Sequence, residues 1–233
     1  SVCVVLHALL HHGAVDAGEW AAHGAVGVLA MLLCCHAPAA RRLGYECLAR
    51  YMAALAEGAS FREREQVKRL LGALRDAITV ADQQLPACIG TFVAHALLAL
   101  TARPPHSQYK PINSFLLSRP YLQLDEPPMF FASFHAGGER ARDERLWSLA
   151  LLRGGLRTDA DVALVAKRHI LQLLLAAHSS PICEAPQLRR ATELVLQRAA
   201  ALPAAAERLA AAHGAFGWAR LHLERLARDG GAA

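Results

Sequence analysis

The sequence predicts an all-α chain of stacked antiparallel helices, a HEAT/armadillo-like α-solenoid segment. Three observations predict it. Apolar residues recur at helical spacing in one block after another. N-cap residues and glycine stops bound those blocks at short intervals. The helices so marked are short and amphipathic, so each must bury its apolar stripe against a neighbour reached through a brief turn. No sequence period is sharp enough to name the repeat, and the solenoid type follows from helix order and length. With 233 residues, 54% of them hydrophobic and 19% charged, the chain can bury a sizeable core and is not disordered. Ser1 stands where a start methionine would be, and the text from Val2 to Leu10 is already apolar, so the expectation is one segment of a longer polypeptide.

The elements follow in order. Val2 to His11 is a first helical run, ended by Gly13. Asp16 to Glu19 reads as an N-cap with its reciprocal acid and opens a second run to about His36. From Trp20 to Ala40 no Asp, Glu, Lys or Arg occurs, a length that raises a membrane span. His23, His36 and Pro38 interrupt that window and Ala and Gly dilute it, so the sequence predicts no membrane insertion. No secretory signal is predicted either, since a basic n-region is missing. Pro38 suits the first turn of a third helix, where Leu43, Cys47, Leu48, Tyr51 and Leu55 share a face and Gly58 is the stop. Ser60 to Glu63 has the wording of a capping box. It is expected to start a helix buried through Val67, Leu70, Leu71, Leu74 and Ile78. A fifth helix covers Leu85 to Leu100, with Pro86 in its first turn.

A proline-punctuated stretch then interrupts the helical text at Pro104, Pro105, Pro111, Pro120, Pro127 and Pro128. Within it, Ile112 to Leu117 predicts a short helix, Pro120 to Leu124 an extended piece, and Asp125 a cap for a helix with Pro127 and Pro128 in its first turn. Met129, Phe130, Phe131 and Phe134 read as core packing in preference to a base-stacking platform. From Glu139 a charged start leads into a helix stopped by Gly154 and Gly155. Thr158 caps the next, with Asp159 and Asp161 in the first turn and Val162, Val165, His169, Ile170 and Leu173 on its apolar face. Helices from about Pro186 to Leu202, from Pro203, and from about Trp218 to Arg228 bring the total to roughly ten. The resulting organisation is an N-terminal helical block over 1–103, a structured connector over 104–138, a C-terminal helical block over 139–228 and a disordered tail over 229–233, all in one continuous solenoid.

The six cysteines, Cys3, Cys34, Cys35, Cys47, Cys88 and Cys183, lie in apolar text without a C-x-x-C pair. They predict free thiols in a reducing compartment, and neither a disulfide framework nor a zinc ribbon. His7, His11 and His12 lack a third ligand at any sensible spacing, and no H-E-x-x-H occurs, so no metal site is predicted. No G-x-S-x-G, no cysteine beside a base with an oxyanion donor and no phosphate-cradling glycine loop is present; Cys34, Cys35 and His36 are adjacent, but neighbours on a helix point in different directions. Paired carboxylates fall in first turns, where capping accounts for them. The expectation is therefore no enzyme, no cofactor and no small-molecule substrate.

Charge is the surface property with most leverage. Lys and Arg number 25 against 20 Asp and Glu, and the only lysines are Lys68, Lys110 and Lys167. Arginine suits phosphate recognition through its planar donor fork, while the heavy use of Ala beside Arg is also what GC-rich coding produces. Arg140, Arg142, Arg145, Arg153, Arg157, Lys167 and Arg168 would gather along one edge if their helices formed a hairpin. The interspersed Asp143, Glu144, Asp159 and Asp161 favour a solvated, salt-bridged surface over an RNA-contacting ridge.

The stretch YKPINSFLLSRPYLQLDEPPMFFASFH, then RLWSLALLRGGLRTDADVALVAKRHILQLLL, then HSSP resembles the C-terminal region of the nucleolar pre-ribosomal-associated protein 1 family. The residues that carry the resemblance are Tyr109, Pro111, Phe115, Leu116, Leu117, Pro120, Phe130, Phe131, Trp147, Leu151, Leu152, Gly155, Leu156, Asp159, Asp161 and Pro181, most of them expected to be structural. Weaker likeness reaches back to ARRLGYECLARY and EREQVKRLLGALRDAI and forward to HGAFGW, while Ala176-Ala177-His178 and the Ala-rich helices near the C-terminus depart from the pattern. The resemblance implies a nucleolar, non-catalytic scaffold in early assembly of the large ribosomal subunit. Its implied partners are pre-ribosomal RNA, a DEAD-box helicase module and small nucleolar RNPs. The competing expectation is a general protein-binding helical-repeat adaptor without RNA contact.

Overall fold

The computed structural model describes residues 2–12 and 16–230, without the side chains of residues 2, 3, 225, 226 and 228–230. Gly13, the Cys3 thiol and residues 231–233 lie outside that description. The fold is all-α, with helices packed on helices and fourteen α-helices among the described residues. Two compact units emerge, Ser1–Gly155 and Leu156–Ala233. The division therefore falls at the end of a helix, and the proline-rich stretch expected to join two blocks lies inside the first unit.

In the first unit the helices are α1 (Val2–His11), α2 (Ala17–Ala22), α3 (Ala25–Leu32), α4 (Pro38–Glu57), α5 (Arg64–Ala77), α6 (Ala87–Thr101), α7 (Tyr109–Ser118), α8 (Phe130–Phe134) and α9 (Ala141–Gly155). The central one is α6, which packs against α2, α3, α5, α7 and α9. Its sequence is apolar nearly all round and it is buried nearly all round, as such a helix must be. Close approach to its neighbours depends on missing side chains. A Cβ on Gly90 would meet Cys34 Sγ at 2.5 Å, and one on Gly155 would meet the Cys88 backbone Cα at 2.7 Å. Tyr51 ties α4 to α2, its hydroxyl donating to the Ala17 carbonyl at 2.7 Å; burial first, and then the Asp16 charge, push its pKa well up.

Several expected elements differ in the structure. The run from Asp16 to His36 is two helices, because Gly24 takes φ +78 and turns the chain between α2 and α3. Asp16 does cap α2, accepting from the Glu19 amide at 2.9 Å. Ser60 makes no capping bond, and α5 starts at Arg64 behind Glu63. The Glu63 carboxylate is buried and instead faces Arg62 and Arg103, each at 3.7 Å. Pro127 and Pro128 precede α8 as a turn, since Met129 at φ +61 cannot continue a helix. Pro111 is accommodated in the first turn of α7, where no donor is needed, so that helix begins before Ile112. Met129, Phe130 and Phe134 are buried as expected, but Phe131 is 36% exposed.

The second unit holds α10 (Asp159–Lys167), α11 (Ile170–His178), a 3-10 turn (Pro181–Cys183), α12 (Pro186–Ala200), α13 (Pro203–Ala211) and α14 (Ala215–Gly230). Each packs on the next, and α10 also on α13. The single helix expected after Thr158 is broken at His169, which takes φ +54. That kink turns His169 outward, away from the apolar face on which Val162, Val165 and Ile170 are buried. Pro186 and Pro203 occupy first turns, and Arg198 Nε donates to the Leu156 carbonyl at 2.8 Å. Asp229 and Gly230, expected to be disordered, continue α14. Cys47, Cys88 and Cys183 are buried and Cys34 and Cys35 half-buried, and none of the five is in a disulfide. Among the described residues no helix is long and apolar enough to cross a membrane.

Candidate interaction surface

The basic residues singled out by the sequence divide between the two units. On α9, Arg142 and Arg153 are exposed; eleven residues apart, or about three turns, they share one helix face roughly 16 Å apart. Arg140 is exposed just before the helix. Arg145 is different. Its Nε donates to the Phe134 carbonyl at 2.9 Å and its Nη2 to the Ala136 carbonyl at 2.8 Å, so the guanidinium fastens the end of α8 to α9. Those carbonyls sit at a helix C-terminus, where a cation and its donors satisfy groups left unpaired by the helix. In the second unit Arg157 and Lys167 are exposed and Arg168 is half-buried. Asp143 is exposed beside Arg142 and Glu144 is half-buried, which dilutes the positive field of α9.

The residues that carried the family resemblance are mostly packed. Leu116, Phe130, Trp147, Leu151, Leu152 and Leu156 are buried, and Tyr109 and Phe115 pack half-buried against the core. Gly155 is buried at the close approach of α9 to α6. Asp161 is buried and works locally: its carboxylate accepts from the Thr158 amide at 2.9 Å, from the Thr158 hydroxyl at 2.8 Å and from the Arg157 amide at 3.2 Å. Together with Thr158 it forms the capping box of α10. Pro111 is half-buried, whereas Leu117, Pro120, Asp159 and Pro181 are exposed.

The second unit also brings together residues that no sequence motif connects. His178 at the end of α11, Glu193 on α12 and His222 on α14 converge, with their potential ligand atoms within 4.8 Å of one another. Glu193 Oε1 lies 3.1 Å from His178 Nε2 and 3.5 Å from His222 Nε2, and Arg190 Nη1 donates to Glu193 Oε2 at 3.3 Å. Trp218 stacks on His222 and meets His178 edge-on. Burial lowers the His178 pKa, outweighing the hydrogen bond to Glu193 that raises it. Burial alone would raise the Glu193 pKa, but its bonds from His178 and Arg190 hold it below the usual carboxylate range. The three residues come from three helices at separations with no periodic signature, so no local spacing rule could have found them. Glu193 and Trp218 also border an apolar groove of about 520 Å³ lined by Leu196, Leu209 and Phe216.

The family model for nucleolar pre-ribosomal-associated protein 1 matches residues 26–218. The chain belongs to this family. Human nucleolar pre-ribosomal-associated protein 1 is 32% identical over 170 residues, 73% of this chain, and the mouse protein is likewise 32% identical over the same length. The chain spans about 7% of the length of these curated relatives. No solved structure gives a significant match. The family match runs through both compact units and includes Glu193, while His222 lies just beyond it.

Proposed function

We propose that this chain is a non-catalytic scaffold segment acting in the nucleolus during early assembly of the large ribosomal subunit. In this reading its helical surfaces hold assembly factors and precursor ribosomal RNA in a geometry that supports folding and processing. The observation that carries it is the family match over residues 26–218, to proteins whose name associates them with pre-ribosomes. The exposed Arg142 and Arg153 on one face of α9 supply phosphate-directed donors of the kind RNA backbone contacts use. The fixed Arg145 serves structure. A DEAD-box helicase module and small nucleolar RNPs are the assembly partners this reading names.

The test is RNA crosslinking of the full-length protein in cells, with crosslinked peptides mapped and co-purifying factors identified. The expected result is large-subunit precursor RNA and early assembly factors among its partners, with crosslinks reduced by the double substitution Arg142→Glu, Arg153→Glu. Both residues are exposed, so the substitution leaves the core intact. Recovery of neither precursor RNA nor assembly factors would overturn the reading. The second reading, a protein-binding adaptor without RNA contact, is favoured by the acids beside Arg142 and by the inward turn of Arg145. It predicts salt-insensitive retention of a protein partner with no RNA retained.

A further inference from the structure

We propose that His178, Glu193 and His222 form a zinc site that clips α14 to α11 and α12, with water completing the coordination. Zinc takes imidazole nitrogen and carboxylate oxygen at about 2.0–2.2 Å in tetrahedral geometry, which places neighbouring ligand atoms roughly 3.3 Å apart. The observed separations from Glu193 Oε1, 3.1 Å to His178 Nε2 and 3.5 Å to His222 Nε2, lie on either side of that distance. Two imidazoles and one carboxylate with an open position make up the ligand set of open zinc centres.

The surroundings hold these groups in place. His178 is 2% exposed, and its Nε2 already faces Glu193 Oε1 at 3.1 Å, so the ring is turned toward the carboxylate that would share the ion. Arg190 engages Glu193 Oε2 at 3.3 Å and leaves Oε1 facing the two rings, as outer partners of ligating carboxylates do. Trp218, stacked on His222 with a centroid distance of 5.6 Å, orients the third ligand. The His178 and His222 rings are only 4.7 Å apart, edge to face.

The fold also gives such a clip something to do. Phe216, Leu221 and Leu223 of α14 are exposed, so apolar burial secures this helix only weakly. Metal binding adds its free energy to the state in which the ligands are assembled. Zinc at this position would hold the middle of α14 against α11 and α12.

The experiment uses the 233-residue chain stripped of metal with a chelator, with zinc and cobalt(II) as the probes. The expected result is one zinc retained per chain after dialysis, visible cobalt(II) absorption of a four-coordinate site displaced by zinc, and slower proteolysis within α14 when zinc is bound. His222→Ala and Glu193→Gln each abolish retention and protection, and both side chains are only half-buried, so the fold survives. His11→Ala, in the other histidine cluster, leaves retention unchanged. Failure of the native chain to retain zinc would overturn the proposal. So would retention that survives both His222→Ala and Glu193→Gln, or that is lost in His11→Ala alone, which marks adventitious binding elsewhere. The pre-ribosomal reading is independent of the result.

Discussion

Arg145 and Trp147 lie two residues apart on α9, and their environments separate structure from recognition. Trp147 is 9% exposed and meets Phe92 edge to face at 6.2 Å; Phe92 in turn meets Phe115 at 5.8 Å. Removing the indole leaves a cavity at a junction of three helices, α6, α7 and α9. Trp147→Ala is therefore expected to lower stability by about 3–5 kcal/mol, read from chemical denaturation, with Trp147→Phe costing much less. At this scale the sequence was informative where helical spacing decides burial, and Trp147 was legible on that ground. The inward turn of Arg145 was not. Its two acceptors belong to the C-terminal end of α8, and the sequence does not show that this helix is only one turn long.

At the scale of elements, the sequence located most helices and misplaced several of their breaks. Apolar periodicity continues through Gly24 and His169, but the backbone takes positive φ at both, and periodicity does not register one residue of left-handed turn. Caps were legible when their partners are local. Asp16 caps α2, and Thr158 and Asp161 close the box at the start of α10. Ser60 to Glu63 has the same wording and makes no cap, because the Glu63 carboxylate is engaged by Arg103, forty residues away. The α10 box carries a prediction. Asp161→Ala removes the acceptor of the Arg157 and Thr158 amides at the partly exposed start of α10, and should destabilise the chain by about 0.5–2 kcal/mol. Asp161→Asn retains one acceptor oxygen and should cost less; thermal unfolding of the pair checks the order.

At the scale of the whole molecule, charge and protonation set the conditions under which the fold persists. His95 on the central helix α6 has its pKa lowered, by burial first and by the neighbouring His106 second. Around and below the ordinary histidine value of about 6.5, the unfolded chain takes up a proton at this position that the folded chain resists. The unfolded state then binds more protons, so stability rises with pH through that window and is lost as pH falls through it. The thermal midpoint should decline between about pH 7 and about pH 5, and His95→Gln should reduce that decline. An equal decline in the variant would assign the effect to other groups.

The sequence by itself determined the all-α class, the apolar stripes that become the core and the family, because each rests on local composition, spacing or ordered wording. Only the tertiary structure decided three things. It drew the proline-rich stretch into the first compact unit, it turned Arg145 from a candidate contact into a fastening, and it gathered His178, Glu193 and His222 from three helices. Each depends on which helices pack together, and packing partners are chosen by the summed burial of many side chains, a property that no short stretch of sequence carries.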